Sequence, residues 1–121
     1  MFCNVQKTII NNELAYVRFD KYPVNEGHAL VLPFRHVSDF FELTEDERKA
    51  IFQLVDETKD LLDKKYHPGG YNIGINVGET AGQTVGHVHV HIIPRYVCDV
   101  DDPRGGVRWV IPRRAQYWED D

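Results

Sequence analysis

The chain has little cysteine, no long apolar run and no basic excess, and each shortage closes off a class of protein. Its two cysteines, Cys3 and Cys98, stand far apart in 121 residues, too sparse for a disulfide framework. No apolar stretch reaches the roughly 18 residues of a membrane span, and Met1-Phe2-Cys3-Asn4 does not open a secretory leader. A formal charge of -5 leaves no general surface for nucleic acid or an anionic membrane, so any anion site is local. The expectation is a reducing, cytoplasmic setting, with Cys98 a packing or chance residue and Cys3 a small, partly buried one. There is no internal repeat or low-complexity tract, and the length suits a single domain, 1–121, with one core.

What is present is concentrated in residues 87–93, His-Val-His-Val-His-Ile-Ile. Strand side chains repeat with period two, so His87, His89 and His91 share one face at steps of roughly 6.6 Å while Val88, Val90 and Ile92 face a core. A single strand histidine is usually an ordinary polar residue; three in register point to a site. Two of them are able to close on one zinc ion, but the outer pair stands roughly 13 Å apart on an ordinary strand, too far for one tetrahedral centre. A neutral imidazole attacking phosphorus suits the row better, with the central histidine as nucleophile and its neighbours donating to phosphate oxygens.

The stretch just before the row, residues 78–86, reads Gly-Glu-Thr-Ala-Gly-Gln-Thr-Val-Gly. Taken alone, its glycines would merely shape a connection between strands. Placed against three histidines, they let backbone N–H groups approach an anion.

The remaining pattern predicts an α+β fold. Residues 8–10 and 14–19 read as a hairpin around Asn11-Asn12-Glu13, residues 29–32 as a buried strand ended by Pro33, and 37–41 as a helical turn or a loop packing its phenylalanines inward. Thr44 and Glu47 form a capping box that opens a helix whose apolar stripe runs through Ile51, Leu54, Val55, Thr58, Leu61 and Leu62. Its charged faces need no function, and Pro68-Gly69-Gly70 closes it. Residues 71–77 alternate again and are expected to pair antiparallel with the histidine strand, which leaves Asn76 beside the glycine loop. The last part, 99–121, reads as a mobile polar loop, a strand over 107–112 and a tail, in which Trp109, Tyr117 and Trp118 pack on the sheet or across a subunit boundary.

Residues 82–95, Gly-Gln-Thr-Val-Gly-His-Val-His-Val-His-Ile-Ile-Pro-Arg, closely resemble the signature of the histidine triad superfamily. Residues 20–33 and Arg35-His36-Val37 resemble that family's upstream block, and Gly-Gly-Val-Arg-Trp at 105–109 resembles a C-terminal motif of its bacterial-type hydrolases. The resemblance implies an antiparallel sheet of about five strands with one long and one short helix, continued across a homodimer in which Trp118 is an interface candidate. It also implies a nucleotidyl hydrolase or transferase acting at the α-phosphate of a purine nucleotide. His89 would carry the nucleotidyl group, His91 and the loop Gly82, Gln83, Thr84 and Val85 would hold phosphate, and Gln83 or Thr84 would lie near the leaving group. Asp20 and Asn76 match positions near the ribose, His87 would orient the site, and His28 would support the row from below. Asp20 stands where some branches carry asparagine, and Gly86 where several relatives are bulkier.

Some relatives hold structural zinc through an N-terminal Cys-x-x-Cys pair and histidines matching His36 and His87. Here Cys3 alone remains of the pair, so Cys3, His36 and His87 make a weak zinc set and no metal is expected. Arg95, Arg104 and Arg108 are candidates for outer phosphates, equally suited to surface pairing with aspartates. The leading expectation is a dinucleoside polyphosphate hydrolase that requires no cofactor, with magnesium able to accompany the polyphosphate. A purine nucleoside phosphoramidase, a phosphorylase using phosphate as acceptor, a nucleotide-binding regulator with little turnover and a metal-dependent hydrolase stand as alternatives.

Overall fold

The computed structural model describes residues 8–119. Five strands form one antiparallel sheet: β1 (Ile10–Asn11), β2 (Ala15–Phe19), β3 (Ala29–Pro33), β4 (Gly70–Ile75) and β5 (Val90–Arg95), in the order β1-β2-β3-β5-β4. Asn12 makes the first turn, its Oδ1 accepting the amides of Leu14 and Ala15 at 3.1 and 2.9 Å. Its Nδ2 donates to the carbonyl of Ala50 at 2.9 Å, which ties the hairpin to the helix.

That helix, α1 (Glu45–Tyr66), begins with the expected box: Thr44 accepts from the Glu47 amide at 3.1 Å and Glu47 accepts from the Thr44 amide at 2.8 Å. Arg35 clamps the same carboxylate, at 3.0 and 2.7 Å, and holds it below its ordinary pKa. His67 ends the helix in the left-handed region, ahead of the Pro-Gly-Gly that was expected to stop it. Ile51, Leu54 and Leu62 of α1 bury against Val17, Val31, Val90 and Ile92, so one sheet face belongs to the core. The other face carries His91. Row by row it reads Arg18, Leu30, His91 and Gly74 across β2, β3, β5 and β4.

Three local expectations are corrected. The histidine row is not one continuous strand: β5 starts at Val90, and His87 and His89 lie in the irregular segment before it. The Val88 amide is drawn aside to the carbonyl of Val37 at 2.7 Å, so the ladder cannot start earlier. Residues 107–112 are not a strand either. Gly105 and Gly106 take φ of 97° and 48°, and the chain coils into a 3-10 turn, Gly106–Val110, followed by the short α2 (Pro112–Ala115). Finally, a 3-10 turn spans Phe40–Glu42, and Phe40 packs on the core whereas Phe41 is 69% exposed. No helix among the described residues is long and apolar enough to cross a membrane.

Candidate active site

The three histidines do not stand as an even comb. His87 is 2% exposed, and its Nε2 lies 2.8 Å from the carbonyl of Pro33. A carbonyl only accepts, so Nε2 carries the ring proton. Its Nδ1 is buried and finds no hydrogen-bond partner among the described residues, and its ring lies 4.8 Å from that of His36, centroid to centroid. Burial holds the His87 pKa below the ordinary histidine value. A buried, neutral ring fixed to a neighbouring strand shapes the backbone that carries His89.

His89 then reads the same backbone. Its Nδ1 sits 2.9 Å from the carbonyl of His87, so Nδ1 holds the proton and Nε2 keeps the lone pair. His91, with its ring edge-on to His89 at 4.8 Å, is fixed from below. The amide of Val24 donates to His28 Nδ1 at 3.0 Å, which leaves the ring proton on His28 Nε2. That nitrogen donates to His91 Nδ1 at 3.0 Å, so His91 carries its own proton on Nε2. Burial pushes His91 down to about 4, and His28 is lowered as well, chiefly by burial and against the pull of Asp20. These bonds set the lone pair of His89 on Nε2 and the N–H of His91 on Nε2, one ring beside the other.

Asp20 completes this group. One oxygen accepts the Tyr22 amide at 2.9 Å and the other lies 3.5 Å from His28 Nε2. Ligand atoms of Asp20, His28 and His91 all fall within 4.8 Å of one another, close enough for a metal by distance alone. Their protons argue otherwise. With Nδ1 occupied by the Val24 amide, His28 has no lone pair to give at Nε2 unless that bond breaks.

The loop before the row is the one expected to meet an anion. Gly78 and Gly82 have φ of 87° and 93°, a turn that side chains resist, and they flank a 3-10 turn, Glu79–Ala81. Gln83 braces the loop: its Oε1 accepts the Gly78 amide at 2.8 Å, and its Nε2 donates to the carbonyls of Ser38 and Val85 at 2.7 and 3.2 Å. The amides of Thr84, Val85 and Gly86 donate to no group among the described residues, which leaves consecutive N–H donors beside His87. They border a cleft of about 570 Å³ that also includes Ser38 and Glu79. Asn76 stands next to Gly82, where an added Cβ would come within 4.0 Å of its Nδ2.

The arginines sit elsewhere. Arg95 grips Asp99 with two bonds of 2.8 Å and also donates to Asn72; Asp99 in turn accepts the Tyr96 amide and Asn25, which pins the start of a loop expected to move. Arg104 pairs with Asp102 at 3.0 Å and stacks on Trp118 at 4.4 Å. Arg108 donates to the carbonyls of Ala115 and Arg114 at 2.8 and 2.9 Å. All three guanidinium groups bond within or beside the C-terminal segment, as surface pairing would have them. Of the weak zinc set, His36 and His87 do meet, whereas Cys3 lies outside the described residues. The partners that sequence reasoning missed are the Val24 amide and the carbonyls of Pro33 and His87, backbone atoms that no motif announces.

A layered α+β protein, with a glycine loop delivering alternating histidines to the open face of its sheet, defines the class. The HIT domain family matches residues 3–97, and the chain belongs to that family. It is 32% identical over 94 residues to a Mycobacterium tuberculosis AP-4-A phosphorylase, covering 77% of this chain and 48% of that one. It is 42% identical over 80 residues to an asymmetrical bis(5'-nucleosyl)-tetraphosphatase of Schizosaccharomyces pombe, covering 66% of this chain and 44% of that one. This chain thus spans about half the length of either curated relative. The crystal structure of a HIT family protein from Bacillus anthracis superposes with a TM-score of 0.75 at 35% identity, covering 79% of this chain and 72% of that one.

Proposed function

We propose that the protein is a nucleotidyl hydrolase or transferase working at the α-phosphate of adenine nucleotides, with a dinucleoside polyphosphate as substrate. The observation that carries this is the His89 Nδ1–H···O=C bond to His87, which leaves Nε2 as the nucleophile, a few residues along the chain from the amides of 84–86. The names of the phosphorylase and tetraphosphatase relatives support the substrate class.

In the first step the His89 Nε2 lone pair attacks the α-phosphorus. An N–P bond forms, the bridging P–O bond breaks, and the electron pair leaves on the departing nucleoside polyphosphate. Gln83 and Thr84 are the loop side chains assigned to the leaving oxygen. The His91 Nε2–H donates to a non-bridging oxygen, where charge builds in the transition state, and the loop amides do the same. Asp20, which follows β2, is assigned to the ribose, and Asn76, which follows β4 on the other side of β3 and β5, to the phosphates. In the second step water attacks the phosphorus, the N–P bond breaks, its pair returns to Nε2, and a proton is lost to solvent. Inorganic phosphate in place of water would give a phosphorylase, the second reading favoured by the mycobacterial relative. A magnesium ion arriving on the polyphosphate belongs to the substrate. We assign the edge strand β4, last in the sheet order, as the place where a second copy joins the sheet to make a homodimer.

The test incubates wild type and His89→Ala with a dinucleoside tetraphosphate, a dinucleoside triphosphate and an adenosine phosphoramidate, with and without phosphate, in 18O water. Mononucleotide labelled at its phosphorus is expected from wild type, with turnover falling at least about a thousandfold in the variant. Undiminished cleavage by His89→Ala would remove the covalent mechanism. Unlabelled product dependent on phosphate would establish the phosphorylase, and preference for the phosphoramidate would move the substrate class.

A further inference from the structure

On the site face of the sheet, beneath the 3-10 turn 106–110, lie two adjoining hollows of about 350 and 360 Å³ that share Asn72, Ile93, Gly106 and Trp109 as walls. The inner one opens on His91. Each is at the small end of the roughly 300–1,000 Å³ usual for ligand pockets. No lysine, arginine, aspartate or glutamate lines the inner hollow, so a phosphate there would meet no counter-charge, whereas a flat apolar ring would meet Ile93 and Trp109.

Trp109 is set in place before any ligand arrives. Its indole N–H donates to the carbonyl of Arg104 at 2.7 Å, and Gly105 runs so close that a Cβ there would lie 3.0 Å from the indole nitrogen. The residue nonetheless stays 44% exposed. A rigid, half-open indole is a stacking platform. Across from it, Asn72 gives its oxygen to Arg95, which turns the amide NH2 toward Gly106, where an added Cβ would be 3.4 Å from Nδ2. The shared wall therefore carries a donor suited to a purine ring nitrogen.

Position relative to the triad fixes which base is meant. Asp20 follows β2, while Asn72 and Gly74 lie on β4, and β3 and β5, with His91, run between them. A nucleotide with its ribose at Asp20 and its α-phosphate at His89 directs its leaving group away from Asp20, toward β4. We infer that the hollow under residues 106–110 is the subsite for the second purine base of a dinucleoside polyphosphate, stacked on Trp109. This rests on the function proposed above.

The experiment compares Trp109→Ala and Trp109→Phe with wild type on a dinucleoside tetraphosphate and on adenosine 5'-phosphoramidate, whose leaving group has no base. Trp109→Ala is expected to lower kcat/KM for the dinucleotide about tenfold or more and to change the phosphoramidate rate less than about twofold, with Trp109→Phe recovering most of the loss. Equal losses on both substrates, or no loss on either, overturn the subsite. A binding arm stands independently of turnover. In a Trp118→Phe background Trp109 is the remaining tryptophan, and its fluorescence is expected to be quenched by the dinucleoside tetraphosphate and far less by AMP. Absence of quenching overturns the subsite, and quenching without cleavage of either substrate overturns the catalytic reading alone.

Discussion

The Nε2–H of His28 donates a hydrogen bond to Nδ1 of His91 across 3.0 Å, and the direction of that bond is set on the far side of the ring, where the Val24 amide donates to His28 Nδ1. The outward-facing nitrogen of His91 is thereby committed to being a donor. The chain of custody runs from a loop amide through a buried imidazole to the site.

Removing His28 is expected to break that commitment. In wild type, nitrogen-15 shifts of His91 should show Nδ1 as acceptor and Nε2 as N–H; in His28→Ala they should show a mixture of tautomers. Turnover is expected to fall roughly ten- to a hundredfold with KM little changed. Identical His91 spectra in the two proteins would disprove the relay.

Stability should decline as the solution is acidified. His28, His87 and His91 are all held below the ordinary histidine value, chiefly by burial, and His91 sits at about 4. Below the unfolded pKa of about 6.5 the unfolded chain binds protons that the folded chain refuses, so stability falls with pH. For His91 the fall ends near its folded value. Around pH 5, His91→Gln is expected to reduce proton uptake on unfolding by about one, read from the pH dependence of urea melts. An unchanged slope would count against a neutral His91.

The helix start offers a stability test away from the chemistry. Thr44→Ala is expected to lower stability by about 1 kcal/mol. Glu47→Ala removes the reciprocal bond as well as the Arg35 clamp, so it should cost more. Because both residues serve one box, the double variant should lose less than the sum of the two. Strict additivity in denaturant titrations would mean the box contributes nothing as a unit.

Cys98 is held at φ 70°, a conformation that side chains resist and glycine accepts. Cys98→Gly is expected to raise stability by up to about 1 kcal/mol, the relief of strain outweighing the added freedom of the unfolded chain. A lower melting temperature for the variant would refute the strain. Activity should not change.

Much of this architecture was legible in the residues because it depends on side-chain period and local chemistry. Thr44 and Glu47 announced α1, the alternation of 71–77 announced β4, and the His-x-His-x-His spacing announced the face that β5 presents. What the residues did not announce depended on the backbone. The kink at Val88 is set by a carbonyl on Val37, the proton on His89 by a carbonyl on His87, and the tautomer of His28 by an amide on Val24. The C-terminal segment misled for a related reason. Val107 to Ile111 have strand-forming composition, but the paired glycines before them turn the chain, and Arg108 and Trp109 bond back to their own segment. The same arginines that suit phosphate also suit the aspartates and carbonyls beside them, and local partners captured all three.

That β5 begins at Val90 divides the site between two kinds of backbone. His91 belongs to a ladder flanked on both sides by β3 and β4, whereas His89 and the amides of 84–86 precede the ladder. In hydrogen exchange these are expected to be separate opening units, the ladder exchanging with global unfolding and the segment before it through local fraying. Ligand protection should therefore rise upstream of residue 90 and stay level downstream. The boundary between a stiff anchor and a compliant clasp is then a single peptide bond, and the bond-making at phosphorus proposed above would take place across it.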